Sequence, residues 1–288
     1  MAIKTWAPSQ TTWVLLSEMN RIDATFTRLR SKKQAALVAF LTLGDPDVDT
    51  TRELMRAAVE NGADLLEIGV PFSDPTADGP VLQRSLDIGL RAGASLTRAF
   101  EVVAEFRQSS QVPVILYGYY NPIFHYGGER FASDARKAGV DGVLVVDLPP
   151  EEAAELLQWT KPAGVHFVCL LAPTTGPERV RTILKRAAGF VYYVSVTGVT
   201  GVRPMQADRV RPVIERLRQQ TKVPIGVGFG ISTPEQAAEV TQFADAAVVG
   251  TAIMRIVDEQ RGSSNVVQAV GSFIRRLKDG MSAAGRAA

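Results

Sequence analysis

Glu67 and Asp78 set the chemistry to look for. Glu67 lies inside the short apolar run Leu65-Leu66-Glu67-Ile68, and Asp78 follows in a loop rich in glycine, proline and aspartate that ends at Gly79. A carboxylate in a buried strand is costly unless it is paired, hydrogen-bonded or neutralised. Burial also raises its pKa toward neutrality, where one group can both give and take a proton. An acid kept in such a place, with a second one just downstream, therefore suits acid–base catalysis. Glu67 is the stronger candidate on this pattern, because Asp78-Gly79 is also a common turn pair.

Glycine and threonine cluster at three further places: the segment 195–204 containing Thr200 and Gly201, the run Gly228-Phe229-Gly230, and Gly250-Thr251. Small residues let a ligand reach backbone N–H groups, and a helix start adds unpaired donors, so three such loops suggest a phosphate cradle. Tight turns would use the same residues. Phe40, Tyr117, Tyr119, Tyr192 and Phe229 could line a flat apolar pocket, although each taken singly could equally be core.

Other chemistries lack their residues. No apolar run ends in lysine, which argues against a Schiff base. His125 and His166 form no cluster with cysteines or acids, so no metal site is expected. The one cysteine, Cys169, sits in an apolar run and reads as core filling. A formal charge of +2 from 32 basic and 30 acidic residues, without a basic stripe, argues against nucleic acid. No apolar run approaches the ~18 residues of a membrane span, and the N-terminus is not a convincing signal peptide. A cytoplasmic protein without a membrane partner is expected.

The elements that must position these groups alternate along the chain. Apolar runs fall at 36–41, 64–68, 112–117, 142–146, 165–171, 190–195, 224–227 and 244–249. Most are continuous, as parallel strands covered on both faces should be. Helical windows follow at 50–61, 95–109, 128–138, 150–160, 177–187, 207–220, 233–241 and 266–278. Starts are marked by Asp49, Ser95, Gly176-Pro177 and Thr233-Pro234, and ends by Gly62, Gly139 and Gly189. Eight such units close into a single-domain (β/α)8 TIM barrel of the α/β class. Asn20 caps a short amphipathic helix before the first strand, suited to covering the barrel bottom. Residues 1–18 are expected to be an extension, 19–279 the barrel, and 280–288 a flexible tail. In a barrel, function collects at the C-terminal strand ends, where both acids and all three glycine loops would lie.

At these residues the chain resembles the alpha chains of tryptophan synthase. The resemblance runs from Met19 to about Lys278 and is carried by Phe40-Leu-Thr-Leu-Gly-Asp-Pro46, the stretch Glu67–Pro80, Tyr119-Tyr-Asn-Pro-Ile-Phe124, Asp141–Pro149, Tyr192–Gly201, Gly228–Ser232 and Gly250-Thr251. It implies a carbon–carbon lyase that cleaves indole-3-glycerol phosphate to indole and glyceraldehyde 3-phosphate in tryptophan biosynthesis. It further implies that Glu67 is the general acid/base and that Asp78 holds the indole N–H. Phosphate would rest around Gly201, Gly228, Gly230, Gly250 and Thr251. Phe40, Tyr119, Leu144, Tyr192 and Phe229 would line the indole pocket, with Thr200 closing it. The resemblance also implies no cofactor on this chain and an α2β2 assembly with a beta chain. Thr76, where the family usually has an aliphatic residue, lies on a loop expected to face that partner. A stand-alone lyase, a non-catalytic activating subunit and another phosphate-binding barrel, such as a sugar-phosphate isomerase, stay open as alternatives.

Overall fold

The computed structural model describes residues 19–194, 207–228 and 230–284, and the counts below refer to those. The expected extension, residues 1–18, lies outside them. The first element is α1 (Arg21–Ser31), capped by Asn20, whose side chain accepts from the Ile22 N–H at 2.8 Å. Its buried stripe is Ile22, Thr25, Phe26 and Leu29, an i, i+3, i+4, i+7 spacing.

Nine parallel strands follow: β1 (Ala36–Thr42), β2 (Leu65–Gly69), β3 (Val114–Gly118), β4 (Gly142–Val145), β5 (His166–Phe167), β6 (Cys169–Leu171), β7 (Val191–Val194), β8 (Ile225–Gly228) and β9 (Ala246–Val249). Their order in the sheet is β5-β4-β3-β2-β1-β9-β8-β7-β6. The two ends of that order, β5 and β6, are one expected strand interrupted at Val168. Its first half pairs with β4 and its second with β7. This bend closes the ring, and the eight expected strands are present as nine pieces of a TIM barrel.

Eleven helices lie between or after the strands: α2 (Val48–Glu60), α3 (Pro80–Arg91), α4 (Leu96–Phe106), α5 (Tyr120–Tyr126), α6 (Gly128–Ala138), α7 (Ala154–Thr160), α8 (Pro177–Arg186), α9 (Ala207–Arg218), α10 (Pro234–Thr241), α11 (Thr251–Glu259) and α12 (Val266–Ala284). Ser95 and Thr233 cap α4 and α10 through their side chains, as expected. The cap of α2 is Asp47 rather than Asp49, and it accepts from the Thr50 N–H at 2.7 Å. Three helices have no counterpart in the sequence windows: α3, α5 and α11. The last helix runs to Ala284, so the expected tail boundary at 279 falls inside it.

The barrel is closed below. Ile22 of α1 packs where a side chain at Gly142 or Gly189 would stand, and the rings of Phe26 and Phe190 are 5.7 Å apart. Asn20 donates to the carbonyls of Asp141 and Gly164, both at 2.8 Å. Buried Asp141 accepts from Arg21 (2.9 Å), Arg107 (2.6 Å) and the Val114 N–H (2.8 Å). His166 meets Asp23 at 2.7 Å, as a histidine at the barrel bottom should. These contacts fix the base of the barrel and leave its upper rim to chemistry.

Candidate active site

Strand register decides what surrounds Glu67. Phe40 of β1 is its Cα partner on one side and Ile115 of β3 on the other. Two residues on, Gly69 is flanked by Thr42 and Tyr117, and Tyr117 is in turn beside Leu144 of β4. The ring of Phe40 crosses the interior over Gly69, where an added Cβ would lie 2.6 Å from Cζ. That ring meets Tyr117 edge-on, with centroids 5.3 Å apart. Only glycine at position 69 leaves room for this aromatic wall.

Glu67 is 2% exposed, and its Oε1 has no hydrogen-bond partner among the described residues. The Thr42 hydroxyl is the other such buried atom. Two polar atoms left without partners in an otherwise satisfied core mark a place where a polar ligand belongs. Burial first, and then the charge of Asp78, push the Glu67 carboxyl up to about 8. It is therefore protonated in neutral solution and near balance in mildly alkaline solution.

Asp78 is also fully buried, but its surroundings are the opposite. The Tyr117 hydroxyl donates to Oδ1 at 2.8 Å and the Tyr119 hydroxyl to Oδ2 at 2.7 Å. The loop is pinned as well. Ala77 N–H donates to the Tyr119 oxygen at 3.1 Å, and the Gln83 side chain donates to the Asp78 carbonyl at 2.8 Å. Burial leaves the Asp78 pKa raised overall, and the bonds from Tyr119 and Tyr117 oppose that rise. One acid thus has two donors and the other has none on its Oε1.

The remaining expected residues in the described chain lie at the C-terminal ends of strands or just beyond them. Tyr192 of β7 is buried, and its phenol is raised well above 10 by burial and by the charges of Glu67 and Asp78. Its ring lies against Gly228, where an added Cβ would be 2.3 Å from the hydroxyl. Gly230, with φ of +84°, turns the chain after β8. Gly250 precedes α11 without a side-chain cap, and half-buried Thr251 is the first helical residue. That start keeps its backbone donors free of a capping side chain, as an anion site requires. Thr200, Gly201 and Phe229 lie outside the described residues.

Asp45, in the Gly-Asp-Pro segment after β1, is fully buried, accepting from Ser85 Oγ at 2.6 Å and from the Arg261 guanidinium. Arg261 also holds Asp258 at 3.0 Å. The bonds join the loop after β1 to α3, which follows Asp78, and to the end of α11, which starts at Gly250-Thr251. Sequence gives no signal for this clamp, because its members are 40 and 216 positions apart. Tyr117 had been noted only as an apolar rim residue, and its bond to Asp78 was equally hidden. Cys169 is buried, with its thiol pushed up to about 12, which suits core filling.

Residues 26–282 match the family model described as tryptophan synthase alpha chain. The tryptophan synthase alpha chain of Geobacter sp. strain M21 is 48% identical over 263 residues, covering 91% of this chain and 98% of that one. The one from Geotalea uraniireducens is 48% identical over 267 residues, covering 93% and 100%. Among solved structures, tryptophan synthase subunit alpha from Legionella pneumophila superposes with a TM-score of 0.86 at 38% identity, covering 92% and 99%. Mycobacterium tuberculosis tryptophan synthase gives 0.84 at 32% identity, with the same coverage.

Proposed function

The chain belongs to the tryptophan synthase alpha chain family, and from that premise we propose how its own residues carry the family reaction. That reaction is a lyase step of tryptophan biosynthesis, the cleavage of indole-3-glycerol phosphate to indole and glyceraldehyde 3-phosphate. Protonated Glu67 gives its proton to C3 of the indole ring. The ring becomes an indolenine-like cation, and the ionised Asp78 stabilises it by accepting from the ring N–H. Glu67, now a carboxylate, takes the proton of the neighbouring glycerol hydroxyl. The carbon–carbon bond breaks, its electrons return to the ring, and the hydroxyl carbon becomes the aldehyde. One proton has moved from oxygen to carbon through Glu67, and no cofactor is needed.

The observation that carries this reading is the contrast between two buried acids. Glu67, raised to about 8, has an unpartnered oxygen, while Asp78 receives two tyrosine hydroxyls. A group poised near neutrality suits proton transfer, and a hydrogen-bonded carboxylate suits charge stabilisation. Phe40, Tyr119, Leu144, Tyr192 and Phe229 form the indole pocket in this reading, with Thr200 closing over it. Backbone at Gly201, Gly228, Gly230 and Gly250, with the Thr251 hydroxyl, holds the phosphate.

Alpha chains of this family pair with a beta chain that consumes indole. We assign that contact to the upper face, where Phe124 of α5 is 58% exposed and the acid loop shows Ser73, Asp74 and Thr76 to solvent or near it. Large apolar side chains left in solvent beside a catalytic rim suit a partner surface. The described residues contain no helix long and apolar enough to cross a membrane. We read the enzyme as cytoplasmic, with residues 19–279 acting as one catalytic unit.

The direct test is indole release from indole-3-glycerol phosphate by the purified chain, with and without a beta chain. Release in both cases, faster with the partner, is expected. No indole under either condition would sink the assignment.

A further inference from the structure

We infer that Tyr117 is a positioning residue for the cleavage: with Tyr119, its hydroxyl holds Asp78 ionised and aimed into the barrel, so that Asp78 rather than Glu67 carries the site's negative charge. This rests on the reading of Asp78 as the acid that stabilises the ring cation.

The geometry is specific. Tyr117 is the fourth residue of β3, and Tyr119 stands two positions on, at the cap of α5. A spacing of two sends both side chains to the same face. Each phenol takes a different oxygen of one carboxylate, at 2.8 and 2.7 Å. A carboxylate offers about four acceptor positions, so both oxygens can still accept a ligand N–H. The Phe40 ring packs edge-on against Tyr117 and holds it in place.

Two carboxyl groups whose charges oppose one another in a low-dielectric interior cannot both ionise freely, and the one with more donors keeps the charge. Asp78 accepts from Tyr117 of β3 and from Tyr119 at the cap of α5, and its charge is coupled to Glu67 of β2 and Tyr192 of β7. The Tyr117 and Tyr119 phenols each donate to its carboxylate. Tyr117 itself cannot supply the charge, since burial and the neighbouring acids raise its phenol well above 10. Its contribution is the hydrogen bond. A purely structural tyrosine would need an acceptor too, so the distinguishing property is the effect on Asp78's ionisation.

The experiment is the pH dependence of kcat/KM for indole-3-glycerol phosphate in the full chain, for Tyr117→Phe, Asp78→Asn and the double variant. Tyr117→Phe should move the acidic limb up by roughly one pH unit, the effect of one lost charge-assisted bond. Combined with Asp78→Asn it should add no shift. An unmoved limb in Tyr117→Phe, or the same shift in the Asp78→Asn background, would overturn the proposal. Incorporating 3-fluorotyrosine at position 117 provides an isosteric second variant with a stronger donor. It should move the limb down, and an upward shift or none would count against the role. Wild-type turnover in Asp78→Asn would sink the underlying reading of Asp78 separately, whatever Tyr117 does.

Discussion

A carboxyl group that keeps its proton to about pH 8 leaves a record in both rate and stability. As the proton donor to carbon, Glu67 should give the pH–rate profile a descending limb near 8. Glu67→Gln should cut turnover by ~10²-fold or more while leaving the fold intact, measured by indole release and circular dichroism. Stability should fall over the same rise in pH, beginning lower. The folded state binds this proton more tightly than the unfolded chain, so Glu67 costs stability progressively as pH rises from its ordinary value of 4.5 toward 8. The melting temperature of Glu67→Gln should therefore pull ahead of the wild type across that range, and parallel melting curves would contradict the shift. Glu67 was legible in the sequence because an acid between Leu66 and Ile68 breaks the pattern of a buried strand. Tyr117 was not, because an aromatic in such a strand fits core filling equally well. Only strand order brings its hydroxyl to Asp78.

At the scale of elements, the site depends on how α3 and α11 are set. Asp45 ties both helices to the loop after β1. Asp45→Ala would take the acceptor from Ser85 and one of two carboxylates from Arg261. It should destabilise by ~2–3 kcal/mol, less than the ~3–5 of a fully buried pair because Arg261 is partly exposed. It should also raise KM for the phosphorylated substrate, which steady-state kinetics would detect. Gly228→Ala puts a methyl group into the Tyr192 ring and should weaken substrate binding severalfold by displacing that wall, as titration with a non-reactive phosphorylated indole analogue would show. The strands were readable as continuous apolar blocks, and Ser95, Thr233 and the end glycines marked several helix limits. Helices α3 and α11 were missed for local reasons. The first begins at Gly79-Pro80, immediately after the acid loop, and carries Gly89 inside it. The second starts directly on the Gly250-Thr251 loop and spans only nine residues. Both are begun by the segments that form the site, so functional loops concealed them.

For the whole molecule, the division between a stabilising base and a reactive rim is itself testable. Asp141→Asn at the base weakens bonds to Arg21 and Arg107 far from Glu67. It should cost ~2 kcal/mol, or roughly 4–8 °C in melting temperature for a barrel of this size, with kcat unchanged below the transition. Closure was expected from eight repeating units, but the means of closure, a single strand bent at Val168 to serve two neighbours, depends on geometry that no apolar run encodes. The plug beneath the barrel has a consequence in time. Helix α1 emerges early from the ribosome, yet the groups it grips, Asp141, Gly164, His166 and Phe190, follow more than a hundred residues later. At ~5–20 residues per second, its apolar stripe waits on the order of ten seconds for a place to bury. Strand β1 waits longer still, since its neighbour β9 ends at Val249. The growing chain must carry both exposed, and the nascent protein has most need of a chaperone's cover at its N-terminal end.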